Sequence, residues 1–310
     1  LLLSACSFPG LGGSVKSDGL VVASGNTSER QILTELVVQM VKHYMPEVKT
    51  GIINNLGSTF LIVQTINRGD SNMIGANYTG TSLTGELGLE ATTDSEEAFK
   101  QVVNGYDEMM DMVWFPSYGF ANTYAFMVRE DFAKEHNLTK VSELKDLKET
   151  VKVGVDTGWM DRPGDGYEAF KDLYGFSFDT ILPMEIGLVY DALKDKKMDV
   201  VLGYSTDGRI QSNNLVLLED DKQLFPPYDA SPVVKKSMLE KYPKLEEIIL
   251  RLEGVIDSDA MQKLNQMSDE KKIEPPIVAK EFLEKNNYFE DKEITPLIER
   301  PQYKEIMGGK

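Results

Sequence analysis

The chain has 310 residues, of which 41% are hydrophobic and 27% are charged, a composition typical of a folded protein and not of a disordered one. Its 33 Lys and Arg against 50 Asp and Glu give a net charge of −17, and it has no basic cluster of the kind that binds nucleic acid or an anionic membrane surface. One cysteine and two histidines exclude a disulfide framework, a Cys-rich zinc site and most His-dependent catalytic sites.

The first residues predict where the protein is located. Residues 1–7 (LLLSACS) pass from apolar to small residues and reach Cys6, the single cysteine. This pattern resembles a bacterial lipobox, in which the cysteine is diacylated and becomes the new N-terminus after cleavage. We therefore expect residues 1–19 to be a signal-peptide remnant, a lipobox and a flexible tether, and the folded part to be anchored by lipid at the extracytoplasmic face of the cell membrane. The alternative is a buried cysteine near the terminus.

From residue 20, short apolar runs alternate with helical patterns, which is typical of an α/β protein with largely parallel sheets. The length fits two domains. In the first part, Ser28 and Gln31 have the spacing of a capping box ahead of a helix that runs to Tyr44. The other predictions for this part are strands at 20–23, 51–53, 72–75 and 112–115, and helices at 58–67 and 94–108.

A second series of elements begins near Tyr118. Its predicted strands lie at 123–129, 151–155, 200–203 and 215–218. Its predicted helices lie at 131–136, 142–148, 165–174 and 186–194. The tail from Lys235 is expected to be mostly helical, with helices that start at Pro243, Ser258 and Pro275.

Four segments place a tyrosine beside turn-forming residues at the end of an apolar run. Ligands of open α/β sheets bind beyond the carboxyl ends of the strands, so such residues are well placed to meet a ligand. Taken singly, a tyrosine in such a segment is more often a core or rim residue than a ligand contact. Together, the ring faces suit a quaternary ammonium group, which has no N–H to donate and is held by cation–π attraction. The four are Tyr78, Tyr124, Tyr204 and Tyr228.

These segments resemble the extracytoplasmic binding lipoproteins of Opu-type osmoprotectant ABC importers, which take up glycine betaine, carnitine and choline. The resemblance runs from about residue 20 to the end of the chain. Its motifs are 78–81 (YTGT), 118–125 (YGFANTYA), 204–209 (YSTDGR) and 225–228 (FPPY). It implies that the four tyrosines form the cage around the trimethylammonium group.

The resemblance also bears on the polar end of the ligand. Thr81 stands where choline-preferring members have Asp and broad-range members have Thr, which implies binding of zwitterions as well as choline. Asn26, ahead of the first helix, is the expected contact to the ligand's polar end. The chain departs from the family pattern with Gly25 where some relatives carry Lys, and with Arg30 where many have Gln. Apart from the resemblance, Arg162 either reaches a carboxylate at the interdomain cleft or lies solvated on the surface.

The expected fold is α/β and periplasmic-binding-protein-like (type II), with two lobes and a double crossover hinge. Domain I is expected at 20–118 plus 221–310, and domain II at 119–220. The expected function is the solute-binding component of an ABC transporter, a monomer without cofactor or metal that delivers its ligand to permease subunits. The alternatives are a choline-selective receptor, a sensor of the same ligands without transport, an amino-acid receptor, and an enzyme on the same fold. The enzyme would need a phosphate loop or a nucleophile with its base, and neither is found in the sequence.

Overall fold

The computed structural model of the chain describes residues 19–162 and 164–308. The predicted lipidation site at Cys6 and the predicted tether at 8–18 lie outside these residues. In the part of the chain that is described, no helix is both long enough and apolar enough to cross a membrane. The secondary structure is organised around two sheets of five strands each.

The first part of the chain alternates strands with helices. Its strands are β1 (Leu20–Gly25), β2 (Thr50–Leu56), β3 (Met73–Tyr78) and β4 (Met112–Trp114). Its helices are α1 (Ser28–Tyr44), α2 (Thr59–Arg68), α3 (Thr79–Thr84) and α4 (Ser95–Met110). The prediction that Ser28 caps α1 is wrong by one position, because Thr27 has the extended backbone of an N-cap and its side chain accepts from the backbone N–H of Arg30.

The middle part of the chain builds the second sheet. Its strands are β5 (Tyr124–Arg129), β6 (Lys152–Asp156), β7 (Thr180–Met184), β8 (Val200–Tyr204) and β9 (Leu215–Leu217). Its α-helices are α5 (Glu130–His136), α6 (Thr157–Met160), α7 (Tyr167–Tyr174), α8 (Val189–Lys194) and α9 (Arg209–Ser212). Two 3₁₀ turns lie at Val141–Leu147 and Ile186–Leu188.

The last part returns to the first sheet through a strand that the sequence pattern does not predict, and it then becomes helical, as that pattern does predict. The returning strand is β10 (Ala230–Lys235). The helices are α10 (Lys236–Lys241), α11 (Lys244–Leu250), α12 (Ser258–Asp269), α13 (Pro275–Lys285) and α14 (Lys304–Met307). Short 3₁₀ turns lie at Asn287–Phe289, Leu297–Glu299 and Pro301–Tyr303.

The two sheets define two lobes. Lobe I is built on the sheet of order β2-β1-β3-β10-β4, and lobe II on the sheet of order β7-β6-β8-β5-β9. The chain therefore passes between the lobes twice, once between β4 and β5 and once between β9 and β10. The exact domain boundaries at 118/119 and 220/221 stay a prediction.

The sheets are mixed but largely parallel, as the sequence pattern predicts, because in each sheet four strands run in one direction and one strand runs against them. β1 runs parallel to β2 and β3, and β6 runs parallel to β7 and β8. β10 is antiparallel to both of its neighbours, and so is β5. Each of these two strands is the first that the chain forms after it crosses from the other lobe, and no helical crossover sets its direction.

Helix α1 fixes the geometry of lobe I at the edge where the candidate site lies. Ile32, Leu33 and Leu36 on this helix are fully buried. The helix packs against β1 and β3 on one side and against α11, α12 and α13 on the other. Its N-terminus thereby lies at the carboxyl end of β1.

Candidate functional site

One cavity brings together residues from several separate segments of the chain. Its volume is about 200 Å³. The residues that line it are Thr27, Arg30, Tyr78, Thr81, Asn122, Tyr124, Arg162, Tyr204 and Tyr228. The structure thus brings the four predicted tyrosines and Thr81 to one place. It does not bring Asn26 there: this residue is exposed and does not line the cavity, and its contact with a ligand stays a prediction.

Strand direction explains how the tyrosines meet. Tyr124 begins β5 and Tyr204 ends β8, and the antiparallel register of these strands places the two residues opposite each other. Their ring centroids are 5.3 Å apart. In lobe I, Tyr78 ends β3 and pairs with Ala230 at the start of β10, two residues after Tyr228. Tyr78 and Tyr204 therefore lie at the carboxyl ends of their strands, as the sequence pattern predicts, whereas Tyr124 lies at the start of β5 and Tyr228 lies two residues ahead of β10.

The start of α3 holds the segment around Tyr228 in place. The hydroxyl of Thr79 donates to the carbonyl of Pro227 at 2.8 Å and accepts from the N–H of Asp229 at 3.0 Å. A Cβ at Gly80 would lie 2.8 Å from that carbonyl oxygen and 2.9 Å from a ring carbon of Tyr228. Glycine at this position therefore permits the close approach of the Tyr228 ring.

The tyrosine hydroxyls are bonded to carboxylates of the protein itself. The hydroxyl of Tyr78 donates to Glu29 at 2.6 Å, and that of Tyr124 donates to Asp156 at 2.7 Å. Burial raises the pKa of Tyr78 well above its usual value, and it also raises the pKa of Tyr124. The phenols stay neutral, and their ring faces remain free for other contacts.

Tyr228 belongs to a second polar group at the cavity wall. Its hydroxyl donates to Asp165 at 3.2 Å and accepts from the guanidinium of Arg162. Arg162 also pairs with Asp165, with 2.6 Å between Nε and Oδ1. Burial raises the pKa of Tyr228. Of the two readings of Arg162 from the sequence, the structure favours the cleft, because this side chain lines the cavity.

Glu29 is a site residue that the sequence reasoning missed. It is 4% exposed, and its Oε1 accepts from Tyr78 and, at 2.8 Å, from the amide of Asn122. Its Oε2 accepts from the amide of Asn265 on α12 at 3.0 Å. The sequence feature that points to Glu29 is its position as an acidic residue in the first turn of a helix, where the helix dipole favours a carboxylate. Glu29 therefore connects Tyr78 with Asn122, which lies where the chain crosses from lobe I to lobe II, and with Asn265 on α12.

Two guanidinium groups already lie against the tyrosine rings. The Cζ of Arg30 is 4.8 Å from the centroid of Tyr78. The Cζ of Arg162 is 5.7 Å from the centroid of Tyr124 and 5.8 Å from that of Tyr228. These distances are typical of cation–π contacts. The ring faces at the cavity therefore attract cations, which are supplied here by the protein's own arginines.

The described residues show no metal cluster, and the two histidines lie away from the cavity. They contain no group of three or more His, Cys, Asp or Glu side chains placed to hold a metal ion. His43 stacks on Tyr288 with ring centroids 3.9 Å apart, and His136 lies 4.4 Å from Phe132. Neither histidine lines the cavity.

Known proteins are similar to this chain in sequence and fold. Residues 18–285 match the family described as the substrate binding domain of the ABC-type glycine betaine transport system. The chain is 50% identical over 292 residues to the carnitine transport binding protein OpuCC of Listeria monocytogenes, which covers 94% of each chain. It is 31% identical over 303 residues to a glycine-betaine-binding protein of Pseudomonas aeruginosa, which covers 94% of this chain and 95% of the relative.

Among solved structures, a crystal structure of a glycine betaine/carnitine/choline ABC transporter is 44% identical, with a TM-score of 0.85 over 87% of this chain and 100% of the other. The prediction of a two-lobed, periplasmic-binding-protein-like α/β fold is thereby confirmed. The matching family consists of solute-binding components of transporters, not of enzymes. The chain belongs to the family of substrate-binding domains of ABC-type glycine betaine transport systems.

Proposed function

We propose that this protein captures quaternary ammonium osmoprotectants (glycine betaine, carnitine and choline) in the cavity between its lobes and delivers them to the permease of an ABC importer. The observation that carries the proposal is the meeting of Tyr78, Tyr124, Tyr204 and Tyr228 around one cavity. The relatives are described as binding carnitine, glycine betaine and choline. A trimethylammonium group among these rings would make cation–π and apolar contacts on several sides.

The hydrogen bonds of the cavity favour a quaternary over a primary ammonium group. The carboxylates nearest the rings, Glu29, Asp156 and Asp165, already accept hydrogen bonds from protein donors. None of the three lines the cavity, so a primary ammonium would lose its hydration without reaching these acceptors, which is costly in a buried site. A trimethylammonium group has no N–H and needs no acceptor.

Thr81 fits a broad range of ligands. It lines the cavity, and its side chain ends in a neutral hydroxyl, which donates a hydrogen bond to a carboxylate without repelling it. A choline-selective receptor is the alternative. An acidic residue at this position would favour that alternative, because it would attract a cation and repel a zwitterion's carboxylate.

A substrate-binding domain of such a system is extracytoplasmic, and its partners are a small ligand and the permease. We add that residues 20–118 plus 221–310 and residues 119–220 act as two domains that close on the ligand, and that the closed monomer is the form the permease recognises. We also propose that a lipid on Cys6 is the only membrane anchor. Loss of uptake on deletion of the permease would separate transport from the alternative, a sensor of the same ligands.

Isothermal titration of the purified protein tests the ligand class. We expect glycine betaine, carnitine and choline to bind. Glycine and ethanolamine, the primary-amine analogues of betaine and choline, serve as matched controls and are expected to give no measurable heat at the same concentrations. Binding of glycine or ethanolamine as tight as that of their methylated counterparts would contradict the proposal.

A further inference from the structure

We propose that the guanidinium of Arg30 is the carboxylate-binding group of the cavity and that glycine at position 25 makes room for it. The inference rests on the proposed function and deepens it. It assigns a separate anion subsite to the ligands that carry a carboxylate, carnitine and glycine betaine. Choline, which has a hydroxyl in place of the carboxylate, would not use this charge.

The position of Arg30 is the first step of the argument. It lies in the first turn of α1 and lines the cavity, with its guanidinium against the ring of Tyr78. Its Nη2 donates to the hydroxyl of Thr59 at 3.2 Å. Its Nη1 is buried and has no hydrogen-bond partner among the described residues. A donor of a charged group that is left unpaired in this way is costly, and an acceptor supplied by a ligand would relieve the cost.

The second step is a comparison with the other arginine of the cavity. Arg162 is paired with the carboxylate of Asp165 and bonded to the hydroxyl of Tyr228. Arg30 forms no ion pair within 4.0 Å among the described residues. The adjacent Glu29 forms no ion pair with it, and both oxygens of Glu29 accept instead from neutral tyrosine and asparagine donors. Arg30 is therefore the cavity guanidinium that is available to a ligand carboxylate.

The surroundings of Arg30 also favour an anion. The N-terminus of α1 carries partial positive charge, and a cation in this first turn works against the helix dipole. Arg30 is therefore not placed there to stabilise the helix. The hydroxyls of Thr27 and Thr81 line the same cavity. A planar guanidinium with two hydroxyl groups is a suitable set of donors for a carboxylate.

Gly25 is explained by the same side chain. A Cβ at this position would lie 2.4 Å from Cδ of Arg30 and 3.4 Å from its Nε. The backbone does not itself require glycine, because Gly25 is not among the glycines with positive φ. The glycine at the end of β1 therefore leaves space for the aliphatic part of Arg30, which reaches the cavity across it.

Removal of the charge is the direct test. We expect Arg30→Gln to weaken the binding of carnitine and glycine betaine by about 10- to 100-fold, because a charge-assisted hydrogen bond is lost. Choline is expected to change by less than about 3-fold, or to bind more tightly, since the lost charge repels it. Arg30→Lys, which keeps the charge without the planar fork, is expected to recover part of the loss. Arg68→Gln is the matched control, because Arg68 is exposed at the end of α2.

A double-mutant cycle tests the role of Gly25. Gly25→Ala is expected to weaken the binding of carnitine by about 5-fold or more, with little effect on the binding of choline, because the added methyl displaces the Arg30 side chain. In the Arg30→Ala background the same change is expected to cost nothing further for carnitine. Equal costs in both backgrounds would overturn the assignment of Gly25 to this role.

The outcomes for Arg30 distinguish this inference from the proposed function. If Arg30→Gln weakens all three ligands equally, Arg30 only supports the Tyr78 ring, and the carboxylate subsite is overturned while the tyrosine cage stands. Unchanged binding of carnitine and glycine betaine also overturns the subsite. If the unaltered protein binds none of the three ligands, the proposed function itself has failed.

Discussion

Three of the four cavity tyrosines donate their hydroxyl hydrogen to a carboxylate, and this arrangement separates two roles of each side chain. The pairs are Tyr78 with Glu29, Tyr124 with Asp156, and Tyr228 with Asp165. The hydrogen bond orients the ring, and the ring face is left to contact the ligand. A nearby carboxylate also makes the face more attractive to a cation.

This separation of roles predicts different effects for two substitutions at each tyrosine. Removal of a ring by Tyr→Ala is expected to weaken carnitine by about 30-fold, since a cation–π contact in a desolvated site contributes about 2 kcal/mol. Tyr→Phe is expected to cost less, because the ring remains and only the hydroxyl is lost. Both variants are made at each of the four positions, and each variant is titrated with carnitine. The positions are Tyr78, Tyr124, Tyr204 and Tyr228.

Tyr242 at the end of α10 is the control for these substitutions, because it does not line the cavity. Tyr106 is a poorer control, since it is fully buried against Trp114 and its loss would damage the core. Equal losses for Phe and Ala at all four cavity positions would mean that the hydroxyls carry the binding. The cage would then not be the basis of affinity.

The short helix α3 follows Tyr78 directly and presents Thr81 to the cavity. We expect Thr81→Asp to narrow the ligand range. An acidic residue early in a helix is compatible with the helix dipole, so the fold should tolerate the change. Choline is expected to bind as before or more tightly. The binding of glycine betaine and carnitine is expected to weaken at least about tenfold, or about 1.4 kcal/mol, because their carboxylates meet a like charge in a partly buried site.

Thr84→Asp provides the matched control on the same helix, because Thr84 is exposed and does not line the cavity. It adds the same charge one turn away, and we expect it to leave the order of the three ligands unchanged. Uniform weakening of all ligands by Thr81→Asp would indicate simple damage to the cavity. No change at all would place Thr81 away from the ligand.

The elements that could be predicted are those whose pattern is local. Most helices and strands follow from apolar spacing, and the position of Tyr78 and Tyr204 at the carboxyl ends of β3 and β8 follows from the rule for open α/β sheets. Strands β7 and β10 were hidden by Pro183 and Pro232, because proline removes a donor from the ladder. β7 lies at a sheet edge, and the register of β10 shifts between Ser231 and Val233, where Pro232 lies.

The polar half of the site depends on contacts that are distant in sequence. Glu29 meets Asn265 across 236 positions, and Asn122 across 93. Whether Arg30 reaches the cavity depends on the space left by Gly25, which only the packed structure reveals. Spacing and composition carry no signal for such contacts. For this reason the cage tyrosines could be selected from the motifs, whereas their carboxylate partners could not.

At the scale of the whole molecule, hydrogen bonds join the two lobes beside the cavity. The amide of Gln262 on α12 donates to the carbonyl of Ser205 at 2.8 Å, and that of Asn265 donates to the carbonyl of Thr206 at 2.8 Å. Both carbonyls follow Tyr204 at the end of β8. The helices of lobe I therefore contact the segment of lobe II that carries a cage residue, and a movement of one lobe would be transmitted to the cavity.

The proposed lipid anchor is a property of the whole molecule that leaves the cavity untouched. We expect Cys6→Ala to move the protein from the membrane fraction to the soluble fraction when it is produced in a bacterium. Two acyl chains hold a protein at a membrane, and without the thiol they are not attached. The carnitine dissociation constant is expected to stay within about twofold of the unaltered protein, because the first cavity residue is Thr27.

Cell fractionation and mass spectrometry of the N-terminal peptide check this prediction, with Ser7→Ala as the matched control that keeps the thiol. The unaltered protein and the Ser7→Ala variant should both yield a peptide that begins at a diacylated Cys6 and should both sediment with membranes. A Cys6→Ala variant that remains with the membranes, or a mature N-terminus at another residue, would contradict the lipid anchor. Binding of carnitine by the released variant would still support the cavity as the ligand site, because anchoring and ligand capture depend on separate parts of the chain.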